Sequence, residues 1–417
     1  MKIFKFGGAS TKDAENVKNI LSLIKQSGEK DLVIVVSAMG KMTNALEIVV
    51  NDYFESGDFK DSLQTVYDFH FNIIKGLFPN TSHSIYSELE TLFNGITRFF
   101  QTNKSKNHAF VYDQVVSYGE LLSSKIVSLY LSENGMTNSW LDVRKCIKTD
   151  SNFRDASVNW EKTEQRISEN VKSIGITVTQ GFLGAEDKNN FTTTLGREGS
   201  DYTAAIFAYC LNAESVTIWK DVPGVLNADP RYFTQTQLLS KISYREAIEL
   251  AFYGASVIHP KTLQPLQRKE IPLFVKSFLS PLENGTCVGE GVALEPNISC
   301  FILKKDLVLI SLSSLDFSFM MEDNIGDVFK WLHEYKMKVE LIQNSAISFS
   351  VCVSDKFGNL DVLLNKLREK FSVKWNENVT LYTIRHFDPL EVKALRENRP
   401  VLLKQETQET VQLVIKE

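Results

Sequence analysis

The sequence predicts an α/β protein. It reads as a layered domain with a central, mostly parallel sheet over residues 1–280, a linker over 281–300, and a smaller α+β region over 301–417. Three observations predict this. Up to about Ser280, short β-branched runs alternate with longer amphipathic ones, the order that sets parallel strands between helices. The strand candidates there end in Gly- or Asp-containing turns, at the carboxyl edge where open α/β sheets take ligands. Residues 280–296 (SPLENGTCVGEGVALEP) are rich in Gly and Pro, and beyond them the pattern becomes β-α-β-β-α-β.

Each element follows from local pattern. Residues 3–6 have strand character, Gly7-Gly8 breaks the strand, and Ser10-Thr11 lead into a helix. Val17, Ile20, Leu21 and Ile24 share one face of that helix, and Gly28 is its stop. Residues 32–37 (LVIVVS) read as a fully buried strand ended by Ala38-Met39-Gly40. Residues 45–100 carry helical periodicity with no strand between, a helical insertion. Residues 111–131 form one long helix whose pattern Tyr118-Gly119 interrupts, and residues 176–180 and 216–219 are further strands. After the linker come strands at 307–312, 338–342, 346–353 and 379–385, with helices at 324–335 and 359–370. Such a module is regulatory, dimerising or a structural appendage; residues 378–417 are too few for a complete second copy.

Composition narrows the function. The net charge is −5 without a basic block, which gives no support for nucleic-acid binding. No apolar run reaches membrane-spanning length and the first residues enter a strand directly, so neither a membrane segment nor a leader is expected. Cys146, Cys210, Cys287, Cys300 and Cys352 are odd in number, scattered and without C-x-x-C spacing, as in a reduced, cytoplasmic protein.

Two glycine-containing turns carry the chemistry. In residues 192–202 (TTTLGREGSDY), Gly196 and Gly199 bracket Arg197 and Glu198, and Ser200 reads as the N-cap of the next helix. Such a turn presents backbone N–H groups and the positive end of a helix to an anion, or it is simply a capped turn. Lys5 stands just before Gly7-Gly8; in a buried strand it needs a counter-charge, and on an edge strand it is solvated. Neither turn is a P-loop, since Val35 stands where the first glycine before Gly40-Lys41 belongs, and no G-x-G-x-x-G occurs.

Seven motifs then run in order through nearly all of residues 1–280. They are Lys5-Phe6-Gly7-Gly8; Val36-Ser37-Ala38 with Thr43-Asn44; Gly119-Glu120-Leu121-Leu122-Ser123; Thr179-Gln180-Gly181-Phe182; the turn 192–201; Trp219-Lys220-Asp221-Val222-Pro223-Gly224 with Asp229-Pro230-Arg231; and Tyr253-Gly254-Ala255 with His259-Pro260. Together they resemble the aspartate kinases of the amino acid kinase family, and the C-terminal region resembles the ferredoxin-like ACT modules of that family. The resemblance implies a layered αβα kinase domain and ATP-dependent phosphorylation of the L-aspartate β-carboxylate, the first step toward lysine, threonine and methionine. It also implies Mg2+ arriving with the nucleotide rather than in a protein cage, a lysine or threonine effector, and a homodimer formed through the ACT-like region. The alternatives are a sibling amino acid kinase and a catalytically inactive amino-acid sensor.

Site residues carry over by position. The resemblance gives Lys5 and Asp201 catalytic roles, and Ser37, Thr43, Glu120, Arg197 and Ser200 the amino-acid substrate. The Arg197 fork suits a carboxylate and Glu120 an ammonium. A plain reading makes Glu120 a solvated helix residue, Ser37 and Thr43 loop-capping hydroxyls, and Asp201 a dipole partner. Lys5, Phe6, Gly7, Gly8, Lys220, Asp221, Leu226, Arg231 and Ser256 fall on ATP-contacting positions. Lys220, Leu226 and Ser256 depart from the family's usual residues, Glu198 replaces a common glycine, and Lys220 or Lys261 is the substitute charge for Ser256. His259 reads as structural. Asn324, Ile325, Val339 and Glu340 match effector-contacting turns, with Glu340 to hold an ammonium and helix capping as the other reading of Asn324. A carboxylate nucleophile is already ionised at neutral pH, so no general base is required.

Overall fold

The computed structural model describes residues 1–255, 258–316, 318–397 and 399–416. In chain order the elements are β1 (Lys2–Phe6), α1 (Ala14–Ser27), β2 (Leu32–Val36), α2 (Met42–Glu55), α3 (Lys60–Leu77), α4 (Ser84–Thr102), α5 (His108–Glu133), β3 (Asn138–Leu141), β4 (Lys148–Thr149), α6 (Trp160–Asn170), β5 (Ile176–Gln180), β6 (Leu183–Glu186), β7 (Thr192–Thr194), α7 (Gly199–Leu211) and β8 (Ser215–Lys220). There follow β9 (Lys241–Ser243), α8 (Tyr244–Tyr253), α9 (Pro260–Arg268), β10 (Leu273–Ser277), β11 (Thr286–Gly289), β12 (Cys300–Ser314), α10 (Glu322–Glu334), β13 (Lys338–Asn344), β14 (Ser348–Ser354), α11 (Leu360–Arg368), β15 (Phe371–Arg385), α12 (Pro389–Arg396), β16 (Val401–Glu406) and β17 (Thr410–Lys416). They divide into two compact units. One contains Met1–Val225, Leu238–Ile248 and Val257–Leu294; the other contains Leu226–Gln237, Glu249–Ser256 and Glu295–Glu417.

The first unit is built on a sheet of order β3-β5-β2-β1-β8-β10-β11-β9, parallel from β3 through β10. β1 is its switch point: β2 lies on one side and β8 on the other, so the carboxyl ends of three strands open onto one crevice. β2 is buried at every position, as a central parallel strand requires. A small sheet β4-β6-β7 sits in the same unit. The insertion α2 to α4 packs with α1 and α5 into one apolar core. α5 continues without a break through Gly119, where a Cβ would stand 3.0 Å from Ala38 Cβ and 3.2 Å from Leu46 Cδ1. The interruption read at Tyr118-Gly119 is therefore a packing requirement: glycine lets α5 close on the turn after β2. Residues 286–289, inside the expected linker, form β11 and pair antiparallel with β10. Thr286 anchors β11 to the preceding turns, its hydroxyl donating to Leu239 carbonyl at 2.6 Å and accepting from Val225 N–H at 2.8 Å.

In the second unit one antiparallel sheet runs β13-β14-β12-β15-β17-β16. Its first four strands, with α10 and α11, take the order expected of a β-α-β-β-α-β module. β12 and β15 are each 15 residues long and continue past this module, pairing there with one another, and β15 also pairs with β17. The C-terminal residues add β17, β16 and the single helix α12, with a core of Tyr382, Ile384, Val392, Val411, Leu413 and Ile415.

Candidate active site

At the carboxyl end of β1 the chain turns on Gly7-Gly8. A Cβ on Gly8 would lie 2.4 Å from the Gly40 carbonyl oxygen, and Gly40 N–H donates to Gly8 carbonyl at 3.0 Å. Only glycine allows the turns after β1 and β2 to touch in this way. α1 begins at an Asp13 cap whose carboxylate accepts from Asn16 N–H at 2.8 Å, and it ends at Gly28 with φ 69°.

The turns after β1, β2, β5 and β7, with α2, α5 and α7, enclose a cleft of about 490 Å³. Its walls carry Lys5, Ser37, Thr43, Glu120, Arg197, Ser200, Asp201 and Lys220, together with Tyr112, Arg154, Phe182 and Glu198. Lys5 Nζ lies 2.6 Å from Asp201 Oδ1, and Lys220 Nζ lies 3.6 Å from Asp201 Oδ2. The buried-strand lysine thus has its counter-charge. Burial pushes the Asp201 carboxyl up, but the two ammonium groups outweigh it and hold the group below its ordinary value. Glu120 is 2% exposed. Its Oε1 accepts from Ala38 N–H at 3.3 Å, and its Oε2 has no hydrogen-bond partner among the described residues. Burial pushes its carboxyl up to about 8, with the Ala38 N–H pulling weakly the other way. It is not a solvated helix residue; it is a buried acceptor facing the cleft. Arg197 is exposed and makes no ion pair with a described residue.

Several expectations change. α7 begins at Gly199, not after Ser200, because Glu198 takes φ 53° and turns the chain two residues earlier. Ser200 is therefore in the first helical turn, against Gly181, where a Cβ would stand 2.5 Å from Ser200 Cβ. The left-handed backbone at Glu198 is where glycine is the unstrained choice. Phe6, read as an ATP contact, is fully buried and stacks on Trp219 with centroids 6.2 Å apart, so its side chain is core. Gly7 and Gly8 form the turn, and Asp221 is exposed beyond β8. Leu226 and Arg231 belong to the second unit, where Arg231 is exposed and bonds Asp229. Ser256 lies outside the described residues. Lys220 joins the cleft, whereas Lys261 pairs with Asp155 at 2.7 Å and bonds Leu195 carbonyl. His259 caps α9, its ring nitrogen accepting from Lys261 N–H at 3.2 Å.

In the second unit Asn324 and Ile325 lie inside α10, whose cap is Met321, so Asn324 is not the capping residue. Val339 and Glu340 lie on β13. The Glu340 carboxylate already bonds the Lys304 ammonium and lies 2.7 Å from Lys338 Nζ. Sequence reasoning missed Tyr112 and Arg154. Tyr112 is one residue before buried Asp113 on α5, and Arg154 lies in a loop without a recognisable motif.

A parallel-sheet crevice lined by a lysine–aspartate–lysine cluster and by a buried carboxylate with an unpartnered oxygen among the described residues has the chemistry that phosphoryl transfer to a small amino acid needs. Residues 1–277 match the amino acid kinase family, and the chain belongs to that family. Within it the chain groups with the aspartokinases. It is 33% identical over 360 residues to the lysine-sensitive aspartokinase 3 of Escherichia coli, spanning 84% of this chain and 77% of that protein. It is 30% identical over 364 residues to the chloroplastic aspartokinase 1 of Arabidopsis thaliana, spanning 84% of this chain and 62% of that protein. Among solved structures, E. coli aspartokinase III in complex with lysine and aspartate superposes with a TM-score of 0.84 at 28% identity, over 100% of this chain and 96% of that one. The same enzyme with aspartate and ADP gives 0.80 at 29% identity, with the same coverage of each chain.

Proposed function

We infer that this chain is an aspartate kinase, transferring the γ-phosphoryl group of ATP to the β-carboxylate of L-aspartate to give 4-phospho-L-aspartate and ADP. The observation that carries the reading is the buried Glu120 carboxylate, whose Oε2 lacks a partner in the same cleft as the Lys5–Asp201–Lys220 cluster. An ammonium supplies what Glu120 lacks, which supports an amino acid as the substrate. Arg197 takes a carboxylate, and Ser37, Thr43 and Ser200 supply hydroxyls around it. Lys5 and Lys220 neutralise charge on the moving phosphoryl group, and Asp201 fixes their positions. The nucleophile is a carboxylate oxygen, so no proton has to be removed from it.

The nucleotide brings Mg2+, which neutralises phosphate charge when bound. Among the described residues no group of three or more His, Cys, Asp or Glu side chains could hold a metal, so the phosphates would be its main ligands. Glu198 Oε2, buried without a partner, is the carboxylate in the cleft that fits beside it. The second unit is the regulatory and dimerising part, with lysine as the effector class. The test is ATP-dependent acyl phosphate formation, trapped with hydroxylamine, with aspartate, glutamate and carbamate compared. Turnover of aspartate alone supports the assignment; turnover of glutamate or carbamate in its place overturns it.

A further inference from the structure

We propose that Arg154 is a second substrate-gripping cation of this cleft, which with Arg197 selects substrates bearing a free α-carboxylate beside the carboxylate that is phosphorylated. The inference rests on the aspartate kinase reading and adds a specificity-determining residue to it.

Backbone geometry is the first argument. Arg154 has φ 72°, a left-handed conformation that glycine adopts freely and arginine does not. Asp113, wholly buried in α5, holds it there: its two carboxylate oxygens accept from Arg154 N–H at 3.2 and 3.0 Å. The same carboxylate accepts from Thr194 N–H at 2.9 Å and from the Thr194 hydroxyl at 2.8 Å. Thr194 ends β7 and leads directly into Gly196-Arg197. One buried anchor therefore sets the loops that carry both arginines.

The side chain supplies the second argument. The Arg154 guanidinium lies 3.9 Å from the centroid of Tyr112, and one terminal nitrogen donates to Glu47 at 2.6 Å. No other side-chain hydrogen bond of Arg154 is made to a described residue, so most of its five N–H donors face outward or into the cleft it lines. The stack on Tyr112 orients the planar fork while Glu47, on α2, holds it at the rim.

Charge matching is the third. Lys5, Lys220, Arg154 and Arg197 line the cleft. Lys5 and Lys220 are engaged by Asp201, and Glu120 is matched to the substrate ammonium. Arg197, which makes no ion pair with a described residue, and Arg154, whose one terminal nitrogen bonds Glu47 at the rim and whose other donors are not taken by described side chains, are then left for the substrate group still without a partner, the α-carboxylate. A role limited to packing on Tyr112 would not require an arginine where glycine is unstrained.

Arg154→Gly is the natural variant, because glycine suits φ 72° and the fold is retained; thermal unfolding checks this. Turnover with aspartate and with its α-amide is measured in both proteins, and aspartate binding without nucleotide is measured by calorimetry. The expected result is a rise in the aspartate KM and a loss of aspartate affinity of about 10- to 100-fold, with the ATP KM unchanged. The α-amide penalty, large in the wild type, should shrink by about tenfold in the variant, and Arg154→Lys should recover only part of the loss. An unchanged aspartate affinity, or an α-amide penalty equal in both proteins, overturns the proposal. Wild-type protein that binds aspartate without turning it over would overturn the kinase reading, and the binding loss in Arg154→Gly would still decide the role of Arg154.

Discussion

Glu120 is the residue whose chemistry the fold alters most. With its carboxyl pushed up to about 8 by burial, the empty site holds it largely protonated at neutral pH, whereas it must be ionised to take an ammonium. Substrate binding therefore releases a proton below about pH 8. The expected outcome is that kcat/KM for aspartate rises with pH up to about 8 and then levels, readable from initial rates at saturating ATP. Glu120→Gln keeps the shape but leaves the ammonium without a counter-charge, so the aspartate KM should rise about 100-fold while the ATP KM holds. Lys5 and Asp201 divide differently. Lys5→Met removes charge from the moving phosphoryl group and should lower kcat about 100-fold or more. Asp201→Asn takes the counter-charge from the buried Lys5 ammonium and from the partly exposed Lys220 beside it, so it should also cost about 3 kcal/mol of stability, measurable by denaturant unfolding.

At the scale of elements, the turns rather than the strands decide the site. β2 was legible because a buried run ended by Ala38-Met39-Gly40 admits one reading, whereas β1 was open between a central and an edge strand until Lys5 met Asp201; the stop of α1 followed from Gly28, but its start, read at Ser10-Thr11, is set by the Asp13 cap. The start of α7 was not legible, since a left-handed Glu198 is set by the packing of Gly199 against Phe182 and leaves no mark in local propensity. Gly8→Ala tests the closest approach: its Cβ would press on a backbone carbonyl that cannot move aside. It should destabilise the protein by about 1–3 kcal/mol and abolish turnover, by thermal unfolding and the hydroxylamine assay. On β12 and β13 the same logic bears on regulation. Lys304 places an ammonium on Glu340 from within the chain, and a Cβ on Gly254 would stand 2.8 Å from Lys304 Cε, so the lysine stem packs directly on Gly254. The position expected to hold an effector ammonium is already filled. Free lysine should therefore inhibit weakly, and Lys304→Met should increase lysine sensitivity; equal inhibition curves for the two proteins would rule this out.

For the whole molecule, the order of motifs carried the fold, and the motifs after β1, β2, β5 and β8 sit where strands of one sheet end, while Glu120 reaches the same cleft from α5 and residues 196–201 from the turn after β7. What the sequence withheld depends on long-range pairing: β11 inside an apparent linker, β12 and β15 running on past the first module, and the Asp113 anchor that ties Thr194 to Arg154. Buried titratable groups also make stability a property of the molecule as a whole. His70 on α3 is fully buried and pushed down to about 4, so its contribution is present above the ordinary histidine value and is lost as pH falls toward 4. Glu120 runs the other way: protonated in the fold and ionised in the unfolded chain, it contributes below its ordinary value and loses that contribution as pH rises to about 8. From pH 4.5 to 6.5 the two oppose one another, and above 6.5 Glu120 acts without His70. Stability should therefore fall by about 2 kcal/mol between pH 6.5 and 8, one proton's worth over that interval. Two controls isolate the cause. Glu120→Gln should flatten the slope, and so should saturating aspartate, which ionises Glu120 in the folded protein as well. Thermal unfolding at several pH values, with and without aspartate, reads both, and a slope that persists in Glu120→Gln would place the proton elsewhere in the fold.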